Sequence, residues 1–298
     1  MERFTVSTDS TCDLYADYMR EHRIFCAPLT FTVEEKDGTM SDFKDDFQSE
    51  ADYIAFYNRL RAGAFSHTSK LNYQAHYEHF LKLAQGGAKD VLHFTISSGL
   101  SSTKDIAAKA AADIRALYPD FNVMVVDPLT ATVGQGALVK IAAQWRDEGK
   151  EMAETYNHVT ALRPYIQHFI IADDLNYLYR GGRVSAPKAA IGGILGIKPM
   201  ITFNTEGQVE VLEKNRGMKA SLRACIAKFD KMPLDRRYDL VYIVHTDNYP
   251  AAEWLRQKVV ERFGFEPNVS VMGPVIGSHL GPGGVGFGYF SENLRNKY

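Results

Sequence analysis

Strand-like and helix-like segments alternate along the first half of this chain, and that alternation constrains its fold more than any other feature. The strand-like runs are short and rich in β-branched residues, whereas the runs between them repeat apolar residues with a helical period. Strands are predicted at 4–8, 24–33, 91–96 and 123–126, and helices at 43–62, 73–84, 101–117 and 133–146. Parallel strands need crossover connections of about this length. We therefore expect an α/β fold with a mainly parallel sheet and helices on its faces.

The pattern changes in the second half of the chain. After a helix predicted at 152–165, strands predominate. They are predicted at 168–172, 198–203, 209–212, 240–244 and 269–272. The turn-forming residues 204–208 lie between two of these strands and predict a hairpin. We expect an N-terminal α/β domain over 1–160 and a C-terminal mixed α/β domain over 161–298.

Composition limits the kinds of partner. The 298 residues carry a net charge of −2, with 45% hydrophobic and 23% charged residues, which disfavours nucleic acid or an anionic membrane as the main partner. Cys12, Cys26 and Cys225 are an odd number at unrelated spacings, so neither a disulfide framework nor a zinc site is predicted. No secretory signal or long apolar run is visible in the sequence. We expect a cytoplasmic protein without stable membrane insertion.

Residues 273–288 contain seven glycines, two prolines and a single histidine, His279. Glycine at this density costs backbone entropy, and it is favoured where φ is positive or where a backbone approaches another group closely. We interpret the segment as a tightly shaped loop that places His279 at the polar end of a ligand site. The alternative is a strand followed by a glycine-rich turn, in which His279 is merely hydrogen-bonded.

Hydroxyl side chains follow several predicted strands, where ligands bind to parallel sheets. Ser97, Ser98 and Ser101 crowd one strand-to-helix turn, and Thr68 and Ser69 lie in a predicted loop before another helix. A helix cap needs only one hydroxyl. Free N–H groups and the helix dipole make such a turn an acceptor for anions. Neutral hydroxyls there suit a carboxylate or a phosphate without adding a buried charge.

Arg180 and Arg183 bracket two glycines. Their guanidinium groups suit either a bound anion or a partner protein, and a solvated turn between domains is the alternative. The apolar stretch 189–197 is predicted to be either core or the wall of a cavity.

Other motifs are weaker. The acidic pairs Asp9 with Asp13 and Asp173 with Asp174 are interpreted as turn chemistry rather than as a metal site. No nucleotide-binding, zinc-protease or serine-hydrolase motif is present, so no cofactor, metal or catalytic residue is predicted.

Six segments taken together resemble the DegV family of fatty-acid-binding proteins, which includes the FakB subunit of bacterial fatty acid kinase. Each segment alone is weakly specific, but their order and spacing fit the family along almost the whole chain. They are residues 8–11, 68–69, 97–101, 175–184, 197–199 and 273–284. The resemblance implies a two-domain protein that holds one long-chain fatty acid in a tunnel between its domains.

The resemblance also implies roles for individual residues. A separate ATP-dependent kinase subunit would phosphorylate the bound carboxylate, and Arg180 and Arg183 are candidates for docking that partner. The carrier itself would not be an enzyme. The residues predicted to bind the ligand are Thr68, Ser69, Ser97, Ser98, Ser101 and His279.

The chain departs from the family pattern at three places. Residues 70–72 are Lys-Leu-Asn where the family usually has Gln-Pro-Ser, Ser102 replaces a glycine, and Pro128 replaces a serine. These differences leave acyl selectivity and the kinase partner open. A second hypothesis is a stand-alone acyl- or phosphotransferase, or a hydrolase, that uses a serine of 97–102 with His279 as base. A third is a sensor of small molecules or a purely interacting protein.

Overall fold

The computed structural model of the protein describes residues 3–184, 196–238 and 240–295. In these residues the strands are β1 Thr5–Asp9, β2 Ile24–Ala27, β3 Thr30–Glu34, β4 Met40–Lys44, β5 Phe65–Ser69, β6 Asp90–Phe94, β7 Asn122–Val126, β8 Ile166–Ile171, β9 Ile197–Phe203, β10 Val209–Arg216, β11 Val241–His245, β12 Asn268–Val271 and β13 Val285–Phe290. The α-helices are α1 Ala16–Glu21, α2 Glu50–Arg61, α3 Tyr73–Gln85, α4 Thr103–Leu117, α5 Thr132–Asp147, α6 Met152–Leu162, α7 Asn176–Arg180, α8 Met218–Lys231, α9 Tyr249–Phe263 and α10 Pro274–Leu280. Short 3-10 turns cover Ser10–Cys12 and Arg163–Tyr165.

The first sheet has four parallel strands in the order β2-β1-β6-β7. Its central strands are covered on both faces, and Val6 and Leu92 are fully buried. Helix α4 provides the crossover from β6 to β7 and buries Ala107 and Ala110, whose small side chains let helices pack closely. The mainly parallel sheet predicted for the first half is thus confirmed.

A second, antiparallel sheet has the order β4-β3-β5, and the sequence pattern does not predict it. The extended run predicted over 24–33 divides at Pro28 and Leu29 into β2 and β3, which join different sheets. Proline lacks the N–H group that a continuous ladder requires. The prediction of a loop at 65–70 is wrong, because Phe65–Ser69 is β5 and pairs with β3.

The helix predicted over 43–62 begins only at Glu50, so that prediction is wrong for its first turns. Phe43 lies in β4, and Phe47 lies in the connection to α2. The Phe31 ring stacks on Phe43 at a centroid distance of 5.3 Å and meets Phe47 edge-on at 6.0 Å. The aromatic spacing that looks helical arises from this cluster around β3, where tertiary packing outweighs local periodicity.

The third sheet has six strands in the order β10-β9-β8-β13-β11-β12. Strands β11 and β12 run parallel, and the other neighbours run antiparallel. The predicted hairpin is present as β9 and β10, closed where Asn204 N–H donates to the Gln208 carbonyl at 2.9 Å. The mixed sheet predicted for the second half is confirmed.

The glycine-rich segment is not the loop that the sequence predicts. It forms α10, then a turn, and then β13 in the middle of the mixed sheet. Pro274 occupies the first turn of α10, where its missing N–H has no helical partner to lose. A Cβ atom on Gly286 would lie 2.2 Å from the Phe169 carbonyl of β8, so only glycine allows these strands to approach. His279 therefore lies on a short helix.

Candidate functional site

A cavity of about 810 Å³ lies among β5, β8, β9, α10 and the loop before α4. Most of its lining is apolar, and the polar lining residues come from a few segments. The apolar residues are Leu29, Ile96, Leu100, Ala131, Ile170, Leu178, Ile201, Phe203, Val209, Met272, Val275, Ile276 and Leu280. The polar ones are Thr68, Ser69, Lys70, Ser101, Thr132, His168, Arg183, Thr202 and His279. A cavity of this composition suits an apolar ligand with one polar end.

Two contacts join polar side chains at the end of the cavity near Ser69 and Lys70. The Thr68 hydroxyl lies 2.8 Å from Nε2 of His279, which joins β5 to α10. The Lys70 ammonium donates to the Ser102 hydroxyl at 3.1 Å, which joins the end of β5 to the start of α4. Ser101 lies beside this second contact. Ser69 and Lys70 are exposed, so this end of the cavity faces solvent.

His279 is neutral near pH 7. Burial, and then the nearby Arg183 guanidinium, lower the pKa of His279 to about 4. Its Nε2 atom meets Thr68, and its buried Nδ1 atom has no hydrogen-bond partner among the described residues. Among the residues that the structure describes, no acidic group therefore orients this ring, in contrast to the histidine of a serine-hydrolase triad.

The two predicted arginines lie in different places. Arg183 is half-buried and lines the cavity, and burial lowers the pKa of its guanidinium. Arg180 is exposed, with its guanidinium 4.9 Å from the Phe65 ring centroid and 5.0 Å from that of Tyr177. The lining thus includes two cations, Arg183 and Lys70. From the sequence we expected neutral hydroxyl groups at this site.

Two glycines, Gly181 and Gly182, separate these arginines, and the structure shows a different reason for each. A Cβ atom there would lie 2.1 Å from Nδ1 of His279, so the backbone after α7 packs directly against the imidazole ring. Gly182 has a φ of +68°, which glycine adopts without strain, and a Cβ atom there would meet nothing within 4 Å. The first glycine is a packing requirement and the second is a turn requirement.

Two predicted ligand residues, Ser97 and Ser98, do not line the cavity. The fully buried Ser97 hydroxyl donates to the Gly207 carbonyl at 2.8 Å and accepts from Gly99 N–H at 3.1 Å. The backbone N–H of Ser98 donates to Asp127 at 3.2 Å. Ser97 therefore attaches the turn between β9 and β10 to the loop before α4. The structure brings together the predicted residues Thr68, Ser69, Ser101 and His279.

Sequence reasoning missed His168 as a lining residue. It lies on β8, fully buried, with Nε2 3.0 Å from the Thr130 hydroxyl and Nδ1 without a partner among the described residues. Burial lowers its pKa well below the usual value. A histidine inside an otherwise apolar predicted strand was the available signal.

One member of each acidic pair makes a turn contact. Asp9 accepts from Thr11 N–H at 3.1 Å and caps the first 3-10 turn, and Asp174 accepts from Asn176 N–H at 2.9 Å. Asp173 contacts Lys198.

Two other sequence predictions concern apolar segments. Residues 189–195 of the predicted apolar stretch 189–197 lie outside the described residues. Across the ranges that the structure describes, no helix has both the length and the apolar character required to cross a bilayer.

Known proteins resemble this chain over nearly its full length. The family model described as "Uncharacterised protein, DegV family" matches residues 3–292. A DegV domain-containing protein of Clostridium perfringens is 32% identical over 284 residues, covering 95% of this chain and 96% of that protein.

Solved structures resemble it as well. A DegV family protein of Thermus thermophilus, described as binding fatty acid, is 28% identical with a TM-score of 0.81, covering 97% of this chain and 99% of the other. A DegV lipid-binding protein of Thermotoga maritima is 25% identical, also with a TM-score of 0.81, covering 98% and 100%. The α/β fold with one parallel and one mixed sheet is the fold of these proteins. Sequence and structure agree along almost the entire polypeptide, and this chain therefore belongs to the DegV family.

Proposed function

We propose that this chain binds a long-chain fatty acid and presents its carboxylate to a separate ATP-dependent kinase subunit, which forms the acyl phosphate. The observation that carries the proposal is the cavity itself, whose walls are mostly apolar and in which Thr68 contacts His279 next to the exposed residues Ser69 and Lys70. The fatty-acid binding described for the Thermus thermophilus relative supports it. In this proposal the acyl tail occupies the apolar space, and the carboxylate lies near Thr68, Ser101 and His279.

Burial of the tail supplies most of the binding free energy. A chain of about fifteen methylenes gains on the order of 12 kcal/mol on full burial, at roughly 0.8 kcal/mol for each methylene. Loss of translational and rotational freedom offsets several kcal/mol of this gain. Because the tail already provides retention, the polar end has only to orient the carboxylate.

The hydrogen bond between Thr68 and His279 supports a specific arrangement of protons. A buried N–H without a partner is more costly than a buried lone pair without one. Since Nδ1 of His279 has no partner, we place the ring proton on Nε2, where it donates to the Thr68 oxygen. The Thr68 hydroxyl proton is then available for a carboxylate oxygen. Arg183 adds a positive charge to the same lining.

Presentation to a partner fits the position of the polar end. Ser69, Lys70 and Ser102 are exposed beside it, so a carboxylate held there would be accessible from outside. Arg180 is exposed on the neighbouring surface and remains our candidate for docking the kinase. We also propose that the cavity lies between two domains, 1–160 and 161–298, since both ranges contribute to its lining.

The alternative of a stand-alone enzyme receives less support from the geometry. The Ser101 hydroxyl contacts Thr103 at 2.7 Å, whereas Thr68 is the hydroxyl in contact with His279. A nucleophilic serine needs its base within hydrogen-bonding reach, and that base usually needs a third group to orient it. A pKa of about 4 also makes His279 a weak base at neutral pH.

Mass spectrometry of the protein purified from a bacterial host tests the proposal. Denaturation should release one long-chain fatty acid per chain, and the emptied protein should take up palmitate or oleate. A chain that is purified empty and binds neither acid would overturn fatty-acid binding. Turnover of ATP or of an activated ester by the isolated chain would favour the enzyme. Normal fatty-acid binding without acyl phosphate formation alongside a fatty acid kinase would remove the presentation step.

A further inference from the structure

An open groove on another surface contains an unusual set of aromatic side chains. We call it the tyrosine groove, and it encloses about 1090 Å³ between α1, the start of α2 and β12. Its lining residues are Tyr15, Ala16, Asp17, Tyr18, Glu21, Phe47, Gln48, Ser49, Glu50, Tyr53, His245, Tyr249, Val269 and Val271. None of these residues lines the fatty-acid cavity, as far as the structure describes the chain.

Two tyrosine rings of the groove are exposed to solvent to an unusual degree. Tyr15 is 43% exposed and Tyr249 is 39% exposed, and Val269 beside them is 36% exposed. Tyr15 meets Tyr53 edge-on at a centroid distance of 6.4 Å. Clustered exposed tyrosines of this kind are typical of surfaces that recognise another molecule.

The charged lining residues of the groove are acids, one of which is paired with an arginine of the adjoining space. Asp17, Glu21 and Glu50 line it, and no lysine or arginine is among its described lining residues. A neighbouring space of about 850 Å³, here called the acidic pocket, shares Phe47 and Tyr53 with the groove. Its own acidic residues are Asp13, Asp45 and Asp46, and its basic residue Arg20 is paired with Asp17.

Two carboxyl groups of the acidic pocket, those of Asp13 and Asp45, each have a buried Oδ2 atom without a hydrogen-bond partner among the described residues. Asp45 is 8% exposed, and its Oδ2 atom has no hydrogen-bond partner among the described residues. Burial, followed by the proximity of Asp13, raises the pKa of Asp45 well above its usual value. The Oδ1 atom of Asp13 accepts from Gly273 N–H at 2.8 Å, and Asp45 is hydrogen-bonded to the Ser10 side chain. A cation in this pocket would provide a partner for the Oδ2 atoms that have none among the described residues.

The chain itself holds a cation against one of these rings. The Lys140 ammonium lies 4.3 Å from the centroid of Tyr18 and 5.1 Å from that of Tyr242, and it donates to the Asn268 side chain at 3.2 Å. Attraction between a cation and a tyrosine ring is thus already used at the border of the groove.

The position of the groove indicates an extended ligand. The groove adjoins the acidic pocket, because Phe47 and Tyr53 line both, so a ligand that enters both spaces must be elongated. Strand β12, an edge strand of the mixed sheet, forms one side, and Val271 N–H donates to the Tyr15 hydroxyl there. We propose that the tyrosine groove binds an extended, arginine- or lysine-bearing segment of a partner protein, with one cationic side chain reaching Asp45 in the acidic pocket.

A labelled peptide tests this proposal on the full chain. The probe is a capped six-residue peptide of alternating arginine and leucine, and its matched control has glutamate in place of arginine. Fluorescence anisotropy should show saturable binding of the arginine peptide only. Absence of binding, or equal binding of the glutamate peptide, would overturn the proposal.

Variants then locate the peptide. E21Q and E50Q should each weaken binding about two- to fivefold, the range expected for an exposed charge pair. Y15L keeps an apolar side chain but removes the ring face, and it should weaken binding as well. D120N removes an exposed acid outside the groove and should change nothing. Unchanged affinity in the three groove variants, with thermal melts like that of the parent, would overturn the assignment to this surface.

Two further outcomes would replace the proposed partner. Arginine amide binding as tightly as the peptide would make this a site for small cations rather than for a protein segment. Sedimentation of the unliganded chain as a dimer that E50Q dissociates would make the groove a contact between two copies. Monomeric protein that binds the peptide more tightly than arginine amide supports the proposal.

Discussion

The Thr68 hydroxyl and Nε2 of His279 lie 2.8 Å apart, although 211 residues separate them in sequence. The contact exists because β5 places Thr68 on the small antiparallel sheet and α10 packs against that sheet. A second bond between the same elements, from the Ser278 hydroxyl to the Ser66 hydroxyl at 2.7 Å, fixes their relative position. The polar end of the cavity is thus built by a junction between distant segments of the chain.

Removal of the Thr68 hydroxyl should weaken fatty-acid binding without unfolding the protein. Thr68→Val keeps the side-chain shape, and a hydrogen bond to a carboxylate contributes about 1.5–3 kcal/mol, so we expect at least about tenfold weaker binding. Displacement of a fluorescent fatty acid measures this change. Thr205→Val, on an exposed hairpin turn, is the matched control and should bind like the parent. Equal affinities of both variants would remove Thr68 from the carboxylate site.

Filling the cavity should abolish binding of the acyl tail. Ile276 is half-buried and lines the cavity, so Ile276→Trp would place a ring where the tail is proposed to lie. The purified variant should release little fatty acid on denaturation. Ile226 on α8 is similarly half-buried but outside the cavity, and Ile226→Trp should retain its fatty acid. Retention by Ile276→Trp at the parental level would show that the tail lies elsewhere.

Acid should destabilise the fold through three histidines packed between α3 and the parallel sheet. Burial is the main cause that lowers the pKa of His76 and His79 to about 4, and that of His93 well below its usual value. His76 is fully buried with no hydrogen bond on either ring nitrogen among the described residues, and Ser7 contacts His79 at 2.7 Å and His93 at 2.9 Å.

The sign of the effect follows from linkage. Between about pH 6.5 and pH 4 the unfolded chain binds protons at these positions that the folded chain excludes, so stability decreases as the pH falls through this window. Each such group contributes a slope of at most about 1.4 kcal/mol per pH unit. Urea unfolding at several pH values measures the slope. His76→Phe should reduce the slope by the share of one group, at most about 1.4 kcal/mol per pH unit. An unchanged slope would show that His76 is not one of the responsible groups.

The sequence predicted the layers of the fold better than their edges. Apolar runs such as that around Val91 and Leu92 are read correctly because both faces of a parallel strand are buried. Strand β5 was missed because its five residues, Phe65–Ser69, are mostly polar and partner an equally short strand. Its pairing with β3 depends on tertiary structure, which no local sequence pattern encodes.

The site was predicted in part for the same reason. His279 was a candidate because it is the single histidine of a glycine-rich segment, and Thr68 because it lies in a hydroxyl-rich segment that resembles the DegV family pattern. Ser97 has the same local signature, but its hydroxyl is used by Gly207, 110 residues away. Arg180 is the last residue of α7, and Arg183 follows the helix. Sequence spacing alone does not show that the two side chains then point to different places.

Substitution of Gly181 should weaken fatty-acid binding, whereas substitution of Gly182 should leave binding unchanged and lower only the stability. In Gly181→Ala the new methyl group would lie 2.1 Å from Nδ1 of His279, so the imidazole ring must move away from Thr68 and fatty-acid affinity should fall about tenfold or more. In Gly182→Ala the methyl group meets nothing within 4 Å, and the cost is the strain of a φ of +68°, about 1 kcal/mol of stability. Displacement titrations and urea unfolding of both variants separate the two effects. A Gly182→Ala variant that loses affinity while Gly181→Ala keeps it would mean that the turn conformation, and not the packing of His279, controls the carboxylate end.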